Sequence, residues 1–100
     1  MKYEYGDGKL KIDLDEEIDI NSCKNLRAII DGYIMKYQPK EFIMNLSNVS
    51  FMDSSGIGLL IGYNLLKLMD ANMTILNPTQ NIKRVLELSK ISSNITMRSE

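Results

Sequence analysis

Asp53-Ser54-Ser55-Gly56 is the place in the chain where several polar groups able to do chemistry meet the start of a strongly apolar run. A serine nucleophile needs a base within hydrogen-bond reach, and the chain has no His and no Lys beside this junction. Ser54-Ser55-Gly56 is not the Gly-x-Ser-x-Gly elbow, and the phosphate-cradling string Gly-x-x-x-x-Gly-Lys-Ser/Thr does not occur. A phosphoaspartate at Asp53 calls for a second carboxylate and metal ligands that the neighbouring sequence does not supply. The plain reading is helix capping by Asp53 or Ser54, worth ~1 kcal/mol. One side chain suffices for that, which leaves hydroxyls to spare. A spare Ser at a helix N-terminus suits a phosphoryl group, because an added charge of about -2 then sits at the positive end of the helix dipole. The same charge, lying beside Asp53, repels an acidic or apolar partner and switches association off without unfolding the domain.

The flanking segments say how such a junction is held. Phe42-Ile43-Met44-Asn45-Leu46 reads as a buried strand, apolar on both faces apart from Asn45, as in a parallel sheet covered on both sides. The apolar run from Ile57 to Met69 reads as a helix of about Ser54 to Asp70. The junction thus falls at the carboxyl edge of a sheet, where open α/β folds place their recognition chemistry. This helix is apolar almost all round, so something among Leu59, Leu60, Tyr63 and Leu66 faces either a neighbouring helix or a partner. Gly58 and Gly62 lie one turn apart and form a flat strip, for close packing on the sheet or for approach by a partner.

Upstream, Lys2 to Tyr5 and Lys9 to Asp15 flank Gly6-Asp7-Gly8 and predict a hairpin. Leu10, Ile12 and Leu14 alternate with charged residues, so the second strand has one buried face. Asn21 or Ser22 caps a first helix whose stripe is Cys23, Leu26, Ile29, Ile30, Tyr33, Ile34 and Tyr37. Pro39 ends it. Downstream, Asn72 closes the second helix and Met73 to Leu76 is a strand. Thr79 caps a third helix with Ile82, Val85, Leu86 and Leu88 on its buried face, Ser92 to Asn94 is a loop, and Ile95 to Met97 is a last short strand. The fold class is α/β: one domain over residues 1–100, ordered β-β-α-β-α-β-α-β, with a mixed sheet that is parallel in the middle and antiparallel at one edge.

Composition narrows the partners. A formal net charge of -1 gives no reason to expect nucleic acid. The longest nearly uncharged apolar stretch, Ile57 to Leu66, is far short of a membrane span. Met1 to Tyr5 does not open a signal peptide, so a cytoplasmic protein is expected. Without His and with only Cys23, neither an imidazole site nor a thiolate cluster can form within the chain. Cys23 itself reads as a small core residue.

Ser50-Phe51-Met52-Asp53-Ser54-Ser55-Gly56-Ile57-Gly58-Leu59-Leu60-Ile61-Gly62 resembles the signature of the anti-sigma factor antagonists, the bacterial STAS domains. Leu14 to Asp19, Met44 to Val49 and Ile82 to Ser89 extend the likeness over most of the chain. The resemblance implies a protein that, unmodified, binds an anti-sigma factor that is also a serine kinase and so frees the sigma factor. It implies Ser54 as the phosphoacceptor, restored by a serine phosphatase. Asp53, Ser55 and Gly56 become its recognition loop, Ile57 and Gly58 further partner contacts, and Asp19 a strand-end contact on the same edge. Mg-ATP belongs to the kinase, so the resemblance implies no cofactor for this chain. Within the family the alternative is an interaction module of a stress-signalling or transport complex with no phospho-switch. Outside it, the alternative is a small phosphoryl-transfer or nucleotide-binding enzyme. Three departures stand out: Glu16 and Lys90 replace glycines, and Glu100 leaves no room for the C-terminal helix many members carry. Either a shorter variant folds without that helix, or a bare apolar face favours weak self-association.

Overall fold

The computed structural model describes residues 1–66, 72–88 and 96–100. In chain order the elements are β1 (Lys2–Gly6), β2 (Lys9–Asp13), α1 (Ile20–Tyr37), β3 (Glu41–Asn45), α2 (Ser54–Leu66), β4 (Asn72–Leu76), α3 (Gln80–Leu88) and β5 (Thr96–Arg98). The strands form one sheet in the order β1-β2-β3-β4-β5, antiparallel between β1 and β2 and parallel thereafter. This is the expected mixed sheet with its hairpin at one edge.

Local chemistry accounts for each turn. Asp7 (φ 52°) and Gly8 (φ 78°) supply the two positive φ angles of a type I′ turn, which matches the twist of the strands it joins. Gln38 adopts the left-handed conformation (φ 48°) and donates its N–H to the Ile34 carbonyl, closing α1 just before Pro39. Thr79 Oγ1 accepts from the Ile82 N–H and caps α3, as expected. Asn72 begins β4 rather than closing the helix before it, and Leu46 lies just past the end of β3. The predicted extension of α2 to Asp70, the Ser92 to Asn94 loop and the Lys90 position lie outside the described residues.

Because β2 to β5 advance in one direction with right-handed crossovers, all three helices fall on one face of the sheet. That face carries Leu10, Ile12, Phe42, Met44, Met73 and Ile75, which form a single core with Leu26 and Ile30 of α1, Leu59 and Leu60 of α2, and Ile82 and Leu86 of α3. The expectation of a sheet covered on both faces is therefore corrected. Among the described residues no helix covers the second face, and Ile43 is only 7% exposed there between its register neighbours Lys11 and Thr74. Leu59 and Leu60 are buried in this core and α1 packs against α2, so the neighbouring helix is what covers that part of α2. The side chains of Tyr63 and Leu66 lie outside the described residues. Leu88 is 76% exposed and does not join the buried face of α3. The α1 stripe ends in Tyr33 and Tyr37, which stack on Tyr3 (4.1 Å between ring centres) and Tyr5 (4.5 Å) of β1.

What positions the junction is a backbone clasp between the two loops that precede α1 and α2. The Ile18 N–H donates to the Phe51 carbonyl (3.1 Å) and the Asp53 N–H to the Ile18 carbonyl (3.2 Å), so Ile18 and Met52 form a short parallel bridge. Gly56, in the first turn of α2, lies directly against that bridge. A Cβ there would sit 2.5 Å from Met52 Cγ and 2.8 Å from the Ile18 carbonyl oxygen, whereas one on Gly58 would meet nothing within 4 Å. Gly56→Ala is therefore expected to destabilise the fold by about 1–3 kcal/mol through forced overpacking. Gly58→Ala should instead be neutral or gain up to ~1 kcal/mol of helix propensity. Thermal melts of the two variants check this, and equal shifts in the same direction would remove the clasp from the account.

Candidate functional site

Both helices that flank the clasp are capped by aspartates. Asp53 caps α2: its Oδ1 accepts from the Ser55 N–H (2.8 Å) and the Gly56 N–H (3.2 Å). Its other oxygen, Oδ2, accepts from the Ile20 N–H (3.2 Å) at the start of α1. One carboxylate thus ties the two helix N-termini together. Asp19, not Asn21 or Ser22, caps α1, with Oδ1 accepting from the Asn21 and Ser22 N–H groups. Ser22 completes a capping box by accepting from the Asp19 N–H through Oγ (3.1 Å), and its hydroxyl donates to the Glu17 carbonyl (2.7 Å). The side chains expected to cap α1 are thus second to the residue before the helix, because the Ile18 bridge brings the chain in one turn earlier.

With Asp53 as the cap, Ser54 is the first residue of α2 and its side chain is exposed. Ser55 is half-buried; its carbonyl accepts a hydrogen bond from the Cys23 thiol (3.4 Å). Burial, with help from the Asp53 carboxylate, pushes the Cys23 thiol above its ordinary range and keeps it a protonated donor. Cys23 is therefore more than a small core residue: it links α1 to the first turn of α2. Ile57 is half-buried against the core, and Gly58 is exposed with open space over it. Close packing on the sheet does not explain Gly58 or Gly62, since neither has a described neighbour within 4 Å of a built Cβ. Asp53, Ser54, Ser55, Gly56 and Ile57 are thus gathered on one end of α2, with Asp19 across the clasp.

Two shallow grooves flank this end. One, of about 490 Å³, is lined by Glu16, Glu17, Asp19, Asn21, Ser22 and Asn25. The other, of about 310 Å³, runs between the loop before α2 and α3, with Phe51, Met52, Ile82, Arg84 and Val85 among its walls. Phe51 is 49% exposed although it sits two residues from Asp53. Sequence reasoning did not single out Phe51 or Arg84, which line this groove; the signal available was an aromatic residue placed at the lip of a polar junction. Among the described residues no group of three or more His, Cys, Asp and Glu side chains converges to hold a metal ion, and no helix is long and apolar enough to cross a membrane.

Comparisons with known proteins bear on the family and the fold. An anti-sigma F factor antagonist of Paenibacillus polymyxa is 29% identical over 90 residues, covering 89% of this chain and 77% of that one. One from Lysinibacillus sphaericus is 34% identical over 74 residues, covering 73% of this chain and 63% of its own, less than two thirds of its length. The anti-sigma factor antagonist SpoIIAA in its unphosphorylated form superposes with a TM-score of 0.80 at 28% identity, covering 96% of this chain and 85% of that one. The phosphorylated Bacillus SpoIIAA superposes at 0.72, also at 28% identity, covering 96% and 88%. The family model described as the STAS domain matches residues 2–100, and the chain belongs to that family.

Proposed function

We propose that this chain is a phosphorylation-switched anti-sigma factor antagonist of the cytoplasm, a binding module rather than an enzyme. The observation that carries the reading is the place of Ser54: exposed, first in α2, and freed from capping because Asp53 does that work. The unmodified protein docks an anti-sigma factor that is also a serine kinase. That kinase brings Mg-ATP and the catalytic groups, transfers a phosphoryl group to Ser54 Oγ, and a serine phosphatase later removes it. Relatives bearing the name anti-sigma F factor antagonist, and SpoIIAA solved with and without its phosphate on this same fold, support the assignment.

The geometry suits both states. A phosphoserine at the first helical position places its dianion at the positive end of α2, so the fold accommodates it. For docking, Gly58 offers a flush backbone next to Ser54, and Phe51 offers a half-exposed ring at the lip of an apolar groove bordered by Arg84. On the other side the Glu16, Glu17 and Asp19 groove presents negative charge. A partner that fits has an apolar pocket or cleft for Phe51, an acidic group towards Arg84 and a basic one towards Asp19. A dianion at the centre of that footprint meets a desolvated interface and opposes it.

Incubated with its cognate kinase and ATP, the wild type should gain one phosphate by mass spectrometry, and Ser54→Ala should gain none; undiminished labelling of the variant would remove Ser54 as the acceptor. Ser54→Asp should keep its melting temperature yet bind the kinase at least ~10-fold more weakly, or ~1.4 kcal/mol. Equal affinity in a titration would remove the switch. Phe51→Ala should weaken binding of the unmodified protein by about 2 kcal/mol, as for a central aromatic anchor. Titration calorimetry reads this directly, and an unchanged affinity would place the ring outside the footprint.

A further inference from the structure

We infer that the β1 edge of the sheet is a self-association surface, pairing with β1 of a second copy in one antiparallel register centred on Tyr3.

The two-residue turn at Asp7-Gly8 makes Gly6 and Lys9 a hydrogen-bonded pair. Alternation along an antiparallel ladder then makes Glu4–Lys11 and Lys2–Asp13 hydrogen-bonded pairs as well. Tyr3 and Tyr5 fall between them, so their backbone N–H and C=O groups point outward from the edge, an open template for another strand. Tyr3 and Tyr5 are also among the large apolar residues left exposed, at 40% each. The rings of Tyr3 and Tyr5 are already held, stacked on Tyr33 and Tyr37 of α1, and the Tyr3 and Tyr37 hydroxyls lie 3.1 Å apart. Rigid aromatic groups lose little freedom when they are covered, which lowers the cost of association.

Charge selects the register. Two copies of β1 can hydrogen-bond through their outward residues in several alignments. Pairing Tyr3 with Tyr5 of the second copy sets Glu4 against Glu4, and pairing Tyr5 with Tyr5 leaves Glu4 facing Gly6. Pairing Tyr3 with Tyr3 sets Lys2 against Glu4 of the second copy and Glu4 against its Lys2. It also lays Met1 against Tyr5. Because Lys2 already lies beside Asp13 and Glu4 beside Lys11 within one copy, each row crossing the seam then alternates without a break: Asp13, Lys2, Glu4, Lys11. Opposite charges directly across strands stabilise and like charges destabilise, so this alignment alone satisfies both faces. The apolar residues meet on the helix side and the charges on the open side. The result is a two-fold dimer with a continuous sheet of twice the strands, held by a small interface and hence weak.

Sedimentation velocity on the full chain, from about 10 μM to about 1 mM, covers the range in which such a small interface is measurable. The wild type should move from monomer towards dimer across it. Lys2→Glu and Glu4→Lys should each weaken self-association at least about 10-fold, because each sets like charges across the seam. A 1:1 mixture of the two variants should associate like the wild type, since both cross-strand pairs are then opposite in sign. Tyr3→Pro, which takes away an outward N–H and the ring stacked on Tyr33 but no ladder hydrogen bond of the hairpin, should abolish association while circular dichroism shows the fold retained. A wild type that stays monomeric throughout would overturn the proposal. So would association that is unaffected by the single substitutions or not restored in the mixture.

Discussion

The structure turns on one short backbone contact, the bridge between Ile18 and Met52. Neither residue belongs to a long element, yet the hydrogen bonds from Ile18 to Phe51 and from Asp53 to Ile18 decide where two helices begin. Once the loops are joined, Asp19 and Asp53 lie next to each other, each capping its own helix, and Asp53 reaches across to the first N–H of α1. The glycine in the signature follows from the same contact. At position 56 the Ile18 carbonyl and the Met52 side chain occupy the space a Cβ would need, so the residue is dictated by packing rather than by a turn. Ser54, two residues earlier, is left on the outside of a rigid corner.

How much of this could be read from the residues depends on how local the cause is. The hairpin was legible because Asp7-Gly8 carries its turn geometry in two residues, and α1 because its apolar stripe repeats every three to four positions over 18 residues. The phosphoacceptor candidate stood out because a polar cluster interrupts an apolar run. The cap of α1 was not legible: Asn21 and Ser22 are good capping residues, and what moves the helix start to Ile20 is a contact with a loop 33 residues away. The uncovered second face was hidden for a related reason. Ile43 is as apolar as its neighbours and nearly as buried, but strand rows from β2 and β4 flank it rather than a helix. Periodicity records that a residue is buried and says nothing of which element buries it. Phe51 escaped notice because single exposed aromatic residues are common, and only the groove beside α3 gives this one a context.

The one-sided arrangement also shapes what the domain can do with its surface. Helices on one face leave the other to polar pairs such as Asn45 with Asp13 (3.0 Å) and Lys9 with Glu41 (3.9 Å), which keep it wet. The edge at β1 lacks that polarity on its helix side, where tyrosines fill the gap beyond α1. The end carrying the start of α2 and the tyrosine edge are thus chemically distinct regions of the domain, the first split between a carboxylate groove and an aromatic one, the second a row of alternating charges under a row of rings.

Magnitudes bear on the proposed switch, in which a charge on Ser54 acts on binding while costing the fold little. A helix N-terminus stabilises an adjacent anion by roughly 0.3–1 kcal/mol at the surface, and a domain of this size has about 5–15 kcal/mol of net stability. Gaining a dianion at the first position of α2 is therefore a small perturbation of the fold. In binding the scale is different, because ~1.4 kcal/mol is a tenfold change in affinity. Two unit charges of like sign about 6 Å apart repel by ~3 kcal/mol at an effective dielectric of 20, and a dianion doubles that. Under the proposed switch the same group would be minor to the fold and decisive to the interface, provided the serine is not itself the cap. Asp53 meets that condition, since both of its oxygens are committed to backbone N–H groups and Ser54 Oγ is left free to be modified or docked upon.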